Sequence, residues 1–456
     1  MAAAARAQWS AREGDPMPPV GADKHLCQVF SKAEWDASNF APPESIRKFR
    51  DLRYGMFIHF GLTKGQDLGW GVCHTRKVPD SLCNGERGPI PDDVWTQWPK
   101  EMRLEKFNAE EWVRIARDSG MKYIVTITKH HDGFHLWDTA YSDWKITKTP
   151  FGRDYLKEIS DACHKARMPF GVYYSQRDWT HPDYAPIDPE TVEKIDEPPY
   201  FKAKPGRKIQ PGPSHKKYIE YQNNVVRELC TKYGRIDYFW FDACWWGGMY
   251  TAEMWDAERL TRMIRELQPG IVINNRAGVP GDFDTPEQRI GFFQDRRPWE
   301  SCMCLCDTWC WSDTPVKSKK DLVRMLVNCA AGDGNVLLSW GPKWEGSFDE
   351  TQVKRLREVG EWLQRYGTSI YETRGGPWRP GSWGGSVTRE DRIWLHVLEF
   401  PEGGLTLPPP ARRVIAARAL TGGEATWSQD KTALRVNVPA ADRDPVDTIV
   451  ELTLEP

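Results

Sequence analysis

The sequence predicts an α/β chain: a (β/α)8-like barrel followed by a C-terminal antiparallel β-sandwich domain. Three observations carry this. Short, continuous apolar runs recur between about residues 50 and 370, and they lack the polar/apolar alternation of a sheet with one wet face. Amphipathic segments with helix start signals separate them. After about Gly375 the texture changes to short strand-like runs divided by Gly, Pro and Asp turns.

In chain order, YGMFIHF (54–60), YIVTIT (123–128), FGVYYS (170–175), YFWFD (238–242), IVINN (271–275) and NVLLSW (335–340) read as buried parallel strands. Between them, Asn108 followed by Glu111 forms a capping-box pattern ahead of EEWVRIARDSG, which stops at Gly120. DYLKEISDACHKA, KKYIEYQNNVVRELCTKYG, AEMWDAERLTRMIRELQPG and KKDLVRMLVNCAAG are helices of the same kind. The segment from Thr180 to Ser214, rich in Pro, Tyr and charge without a period, reads as a long loop over one barrel face. IWLHVLEF, RVIAARAL, ALRVNVP and TIVELTLE supply the sandwich strands. The expected organisation is an N-terminal extension (1–45), a barrel (46–372) and a sandwich (373–456). An open, doubly wound sheet would fit the same alternation, but no G-x-G-x-x-G opens a helix here.

Composition narrows the function classes. A net charge of −2 with acids and bases interspersed offers no basic stripe, so nucleic acid and anionic membrane are not expected partners. No apolar run reaches the eighteen or so residues of a membrane span. The opening MAAAARAQWSAREGDPMPPV lacks the apolar core of a secretory signal, leaving a cytosolic protein or a trimmed signal as alternatives. Cys302, Cys304, Cys306 and Cys310 lack the twin C-x-x-C spacing of a structural zinc site and read as free or partly paired thiols. The chain has 23 tryptophans, whose indole faces stack well on the C–H-rich faces of sugars, so a carbohydrate site is plausible.

Polar residues cluster where the predicted strands end. His59 closes the first; Lys129, His130, His131 and Asp132 follow the second; Tyr174 lies near the end of the third; Asp242 ends the fourth; Asn275 and Arg276 end the fifth. In a (β/α)-barrel these ends meet at one mouth, where active sites are built. Asp242, within YFWFDACWW, bears a desolvation cost unless it is paired, which suits a catalytic carboxylate. Glycoside hydrolysis needs a second carboxyl group, and the residues alone leave Glu287 and Glu300 as rivals. His130 and His131, taken as extended, point in opposite directions and suit two sugar hydroxyls at least as well as one metal. No H-E-x-x-H or matching carboxylate cluster is present, so no metal or other cofactor is expected, and a metal-dependent hydrolase stays as an alternative.

Several phrases then match one family. FRDLRYGMFIHFGL, FNAEEWVRIARDSGMKYIVTITKHHDGFHLWDT, PFGRDYLKEISDACHKA, GVYYSQRDW, YFWFDACWW, NNRAG, GDFDTPEQ and RGGP resemble the α-L-fucosidases of glycoside hydrolase family 29, from about residue 46 to near the C-terminus. The resemblance implies a retaining, metal-independent enzyme acting on fucosylated glycans or oligosaccharides. Its implied nucleophile is Asp242, two residues after Trp240, and its implied acid/base is Glu287 rather than Glu300. The implied fucose contacts are His59, Trp70, His130, His131, Tyr174, Trp240 and Arg276.

Three departures bear on specificity. The usual His-Trp-Gly reads His-Phe-Gly, with Phe60; the usual acidic-Trp pair reads Gly69-Trp70, so a ligand carboxylate is missing or comes from Asp67; and the stretch after W-E-x-C-M has become CLCDTWCW. The T-P-E-Q phrase resembles the branch acting on α-1,3/1,4-linked fucose. A glycosidase of a related deoxy- or galacto-configured sugar, and a sugar-binding protein without catalysis, are the alternatives.

Overall fold

A computed structural model describes residues 32–63, 94, 96–194, 209–242, 251–290 and 293–456. All six predicted strands form: β1 (Tyr54–Ile58), β2 (Tyr123–Lys129), β3 (Phe170–Tyr174), β4 (Tyr238–Phe241), β5 (Val272–Ile273) and the last barrel strand (Asn335–Trp340). One strand lies outside the predicted set. It is Glu300–Cys304, here β6, which makes the last strand β7. Every residue of these seven strands is buried, as expected of a sheet covered on both sides.

The strands pair in parallel in the order β5-β4-β3-β2-β1-β7-β6. The two edges of this sheet are joined by the segment Phe283–Glu287. Parallel bridges link Asn274 to Phe283 on one side, and Asp284 to Trp299 and Glu287 to Cys302 on the other. The hydrogen bonds are Asn275 N to Phe283 O (3.0 Å), Glu300 N to Asp284 O (2.9 Å) and Cys302 N to Pro286 O (3.0 Å). This segment serves as an irregular eighth strand and closes the barrel.

The outer helices are α1 (Pro43–Leu52), α2 (Ala109–Asp118), α3 (Tyr155–Lys165), α4 (His215–Lys232), α5 (Ala257–Leu267), α6 (Lys319–Ala331) and α7 (Glu350–Tyr366). Asn108 Oδ1 caps α2 by accepting from Glu111 N (3.0 Å), and the chain leaves at Gly120 with φ +82°. A complete reciprocal capping box stands instead at Ser318 and Asp321, ahead of α6. α1 and α7 are additional to the predicted helices. Between β5 and the closing segment the described residues hold one 3-10 turn, Asn275–Ala277, and no α-helix. The barrel is therefore eight-stranded but irregular on the side that carries Glu287. Within Thr180–Ser214, the described parts include a two-residue pairing of Pro186–Ile187 with Gln210–Pro211.

The C-terminal part is a β-sandwich. β8 (Gly384–Arg389), β9 (Arg392–Val397), β10 (Leu405–Leu407), β11 (Val414–Ala419), β12 (Thr426–Gln429), β13 (Leu434–Asn437) and β14 (Thr448–Leu454) follow in chain order. One sheet runs β8-β9-β14-β11, with Arg374–Gly375 on its β8 edge, and the other runs β10-β13-β12. Leu395 and Leu452 of the first sheet meet Leu407, Leu434 and Val436 of the second. Each such buried side chain contributes roughly 1.5–3 kcal/mol. Val387, Trp394 and Ile449 turn the other way and join the barrel core.

Candidate active site

The strand ends converge on one cavity, lined by Phe57, His59, His130, His131, Tyr173, Trp240, Asp242, Arg276, Glu287, Cys302 and Trp309. A larger groove, walled by Lys216, Ile219, Glu253 and Asp256, lies on the outer helices away from the strand ends, and a site cannot be argued from size alone.

Asp242 follows β4 directly. The chain is held there by Asn274, whose side chain accepts from Phe241 N and donates to Phe241 O, both at 2.9 Å. The carboxylate accepts from Tyr173 Oη (2.6 Å) on Oδ2 and from Arg276 Nη1 (2.9 Å) on Oδ1. Arg276 Nη2 donates to Glu287 Oε2 at 2.7 Å. One buried guanidinium thus spans both carboxyl groups. Its Nε also donates to Thr285 Oγ1 (2.8 Å), and its guanidinium carbon lies 4.5 Å from the centroid of the Trp240 ring.

The GDFDTPEQ phrase acquires a physical meaning here. Gly281 has φ +61°, and a Cβ would fall 2.2 Å from Asn274 O, so the turn into the closing segment requires glycine. Asp282 accepts from Ile273 N (2.7 Å) and Arg265 (2.8 Å), and Asp284 accepts from Arg297 (2.8 Å) and Asn275 (3.0 Å). These anchors deliver Glu287 to the cavity wall opposite Arg276. Burial, reinforced by the Asp242 carboxylate, raises the pKa of Glu287 above an ordinary glutamate against the pull of Arg276 and Arg177.

Glu300, the rival carboxyl, does not line the cavity. It accepts from Trp240 Nε1 (3.1 Å) and from Tyr123 Oη inside the barrel, and burial pushes it up to about 7.

The histidines line one cavity. His130 and His131 have ring centroids 4.2 Å apart, which corrects the expectation that they point oppositely. The strand ends at Lys129, and the chain turns immediately, with Gly133 N bonding His130 O at 3.1 Å. His131 Nδ1 faces Ser175 Oγ, which itself donates to the Arg177 carbonyl (3.0 Å), while His131 Nε2 accepts from Arg177. The ring therefore carries its proton on Nδ1. Burial, with Arg177, Lys129 and Arg276 nearby, pushes its pKa well below the usual value, so it is neutral. His59 donates through Nδ1 to Ser339 Oγ (2.7 Å), and burial lowers it to about 3. His130 stacks on Tyr173 at 5.2 Å and 11°.

One further expectation changes. Tyr174 is not at the cavity; its ring lies under Lys129 Nζ at 4.9 Å and beside Tyr218 of α4. Neighbouring residues on a strand face opposite sides, and Tyr173 is the one that turns inward. Trp70, with Asp67 and Gly69, lies outside the described residues. The sequence reading did not place Arg177, Cys302 or Trp309 at the site. Trp309 comes from the divergent CLCDTWCW stretch and stands 5.2 Å from the His59 ring. Cys302, Cys304 and Cys306 are free thiols, and Cys310 is buried with them. Among the described residues, one group, His130, His131 and Asp242, could close on a metal ion, its ligand atoms lying within 4.8 Å of one another.

Residues 24–368 match the family model described as alpha-L-fucosidase. The chain belongs to the α-L-fucosidase family. Among solved structures, it is 32% identical to alpha-L-fucosidase isoenzyme 1 from Paenibacillus thiaminolyticus, covering 91% of this chain and 99% of that one with a TM-score of 0.75. It shares its fold with a glycoside hydrolase family 29 fucosidase from Bacteroides thetaiotaomicron, captured as a covalent intermediate with 2-fluoro-fucosyl fluoride (24% identity, TM-score 0.76, 92% and 98% covered). Human plasma alpha-L-fucosidase is 26% identical over 425 residues, 86% of this chain and 85% of its own length. Fold and family expectations therefore hold, and this fucosidase is a glycoside hydrolase. No helix among its described residues is long and apolar enough to cross a membrane.

Proposed function

We propose that this fucosidase releases terminal L-fucose from glycans or oligosaccharides by a retaining route, with Asp242 as nucleophile and Glu287 as acid/base. Asp242 attacks the anomeric carbon while Glu287 protonates the departing glycosidic oxygen. Glu287 then deprotonates the water that opens the fucosyl-enzyme ester.

One observation carries the reading: Arg276 donates to both carboxyl groups, at 2.9 and 2.7 Å. Shared donation from one guanidinium keeps the pair close, in keeping with the roughly 5–5.5 Å separation of retaining pairs. The raised pKa of Glu287 favours the protonated form that an acid requires. The covalent intermediate captured in the Bacteroides neighbour accords with the same chemistry. His59, His130, His131, Trp240 and Arg276 serve as fucose contacts, Tyr173 steadies the nucleophile, and Trp70 remains a contact by resemblance. The T-P-E-Q phrase favours α-1,3/1,4 linkages within this reading.

A panel of aryl glycosides tests it. Turnover of the α-L-fucoside, with β-fucosyl azide formed by Asp242→Gly in added azide, is the expected result. Azide fills the vacated space and attacks from the nucleophile's face. α-Azide, near-normal hydrolysis by the variant, or preference for a galactoside would overturn the assignment.

A further inference from the structure

Glu300 is deeply buried and carries a carboxyl group that the proposed mechanism does not use. Its two recorded partners are both donors, the Tyr123 hydroxyl and the Trp240 indole N–H. No cation pairs with it among the described residues. The arrangement is built for: Gly55 of β1 leaves the space that the Tyr123 ring fills, since a Cβ there would sit 2.3 Å from that ring. Four strands, β1, β2, β4 and β6, therefore contribute to one polar contact in the barrel interior.

Trp240 is the element that Glu300 fixes. The indole carries Arg276 on one face, with the guanidinium carbon 4.5 Å from the ring centroid. It also stacks on Tyr173 at 5.8 Å and 20°. Arg276 and Tyr173 both donate to Asp242, and Arg276 holds Glu287 as well. A rotation of the indole would move the donors of both carboxyl groups together.

We infer that Glu300 is a positioning residue, which sets the plane of Trp240 through its N–H and so aligns Arg276 and Tyr173 on Asp242 and Glu287. This rests on the roles proposed for those two carboxyls. It also explains why a second glutamate near the site competes with Glu287 in the sequence yet does no proton transfer. A positioning role needs an acceptor for the indole, not a proton donor. A glutamine oxygen supplies that acceptor, and its amide can donate to the Tyr123 hydroxyl oxygen.

The test compares Glu300→Gln, Glu300→Leu and Trp240→Phe on a series of aryl α-L-fucosides of graded leaving-group pKa. Glu300→Leu leaves two buried donors unpaired and should lower kcat by about 10- to 100-fold, equally across the series. Glu300→Gln should stay within about threefold of the wild type, the range left when the hydrogen-bond acceptor is kept. Trp240→Phe removes the N–H, and adding Glu300→Leu to it should cost kcat little more. Should Glu300→Leu fail to fold, Glu300→Gln and Trp240→Phe still decide, since the first must be active and the second impaired. A Glu300→Gln variant as poor as a catalytic-acid knockout overturns the inference. So does a loss that grows with leaving-group pKa, or a Leu variant that melts early yet keeps its kcat. With wild-type turnover intact and Asp242→Gly inactive, such a failure falls on Glu300 alone. Wild type without turnover on the fucosides sinks the parent reading and this inference with it.

Discussion

Replacing Arg276 with Met should move the alkaline limb of the pH–kcat/KM profile upward while lowering its height. Glu287 must be protonated to act as the acid. Burial and Asp242 already raise its pKa, and Arg276 opposes them. Deleting the cation removes a lowering influence, so the protonated form persists to higher pH and the limb shifts alkaline. The bond lost is the 2.7 Å contact from Nη2 to Oε2. A hydrogen bond to a charged group is worth roughly 1.5–3 kcal/mol. At about 1.36 kcal/mol per unit, the shift is roughly one to two pH units. The 2.9 Å bond to Asp242 disappears as well, and misorientation of the nucleophile should lower the maximum by about 10- to 100-fold. Removing one partner from buried ion pairs also destabilises the fold by about 3–5 kcal/mol, so melting is measured alongside. Arg276→Lys, which keeps a charge but not the fork, should fall between wild type and Met. The assay is aryl α-L-fucoside hydrolysis across the pH range. An unmoved limb, or one displaced toward acid, would refute the account of Glu287.

The remaining expectations are simpler. Glu287→Ala should slow poor leaving groups severely and activated aryl fucosides much less, because the latter depart with little protonation; the same pattern in Glu300→Ala would mean the acid is misassigned. His131→Ala should raise KM and lower kcat together, since hydroxyl contacts tighten in the transition state, and an unchanged kcat would place His131 outside the reaction. EDTA should leave turnover intact. Loss on chelation, restored by zinc, would make His130, His131 and Asp242 metal ligands, the one grouping among the described residues able to close on an ion.

How far the residues alone reach depends on what each element leaves in the sequence. The apolar runs of β1 to β4 are long and unbroken, and the polar group at each C-terminal end announces the mouth of the barrel, so Asp242 and the histidines were legible. β6 was not, because Glu300, Ser301 and two cysteines hide a fully buried strand behind polar names. The closing segment was hidden further, since Asp282, Asp284 and Pro286 look like a loop. They are ladder anchors whose partners lie between nine and 241 residues away in sequence. The Tyr173–Tyr174 pair shows a different limit. A slip of one residue exchanges the faces of a strand, and two adjacent tyrosines give no pattern from which to choose. Arg177 lies beyond a strand end with nothing around it to announce its contact with His131.

The uneven closure of the barrel has a consequence for how such a catalyst can diversify. Asp242 extends a strand flanked on both sides, so its height and azimuth are locked by β3 and β5 together with Asn274. Glu287 rides on a ribbon that, among the described residues, no α-helix connects to β5, and side-chain tethers from Asp282 and Asp284 help to secure it. Under the proposed roles, lengthening or shortening that ribbon would re-aim Glu287 without disturbing Asp242 or the sugar it attacks. The half of the chemistry that reads fucose is therefore fixed, while the half that meets the leaving group is adjustable, and drift among aglycones should accumulate in the dozen residues after Arg276.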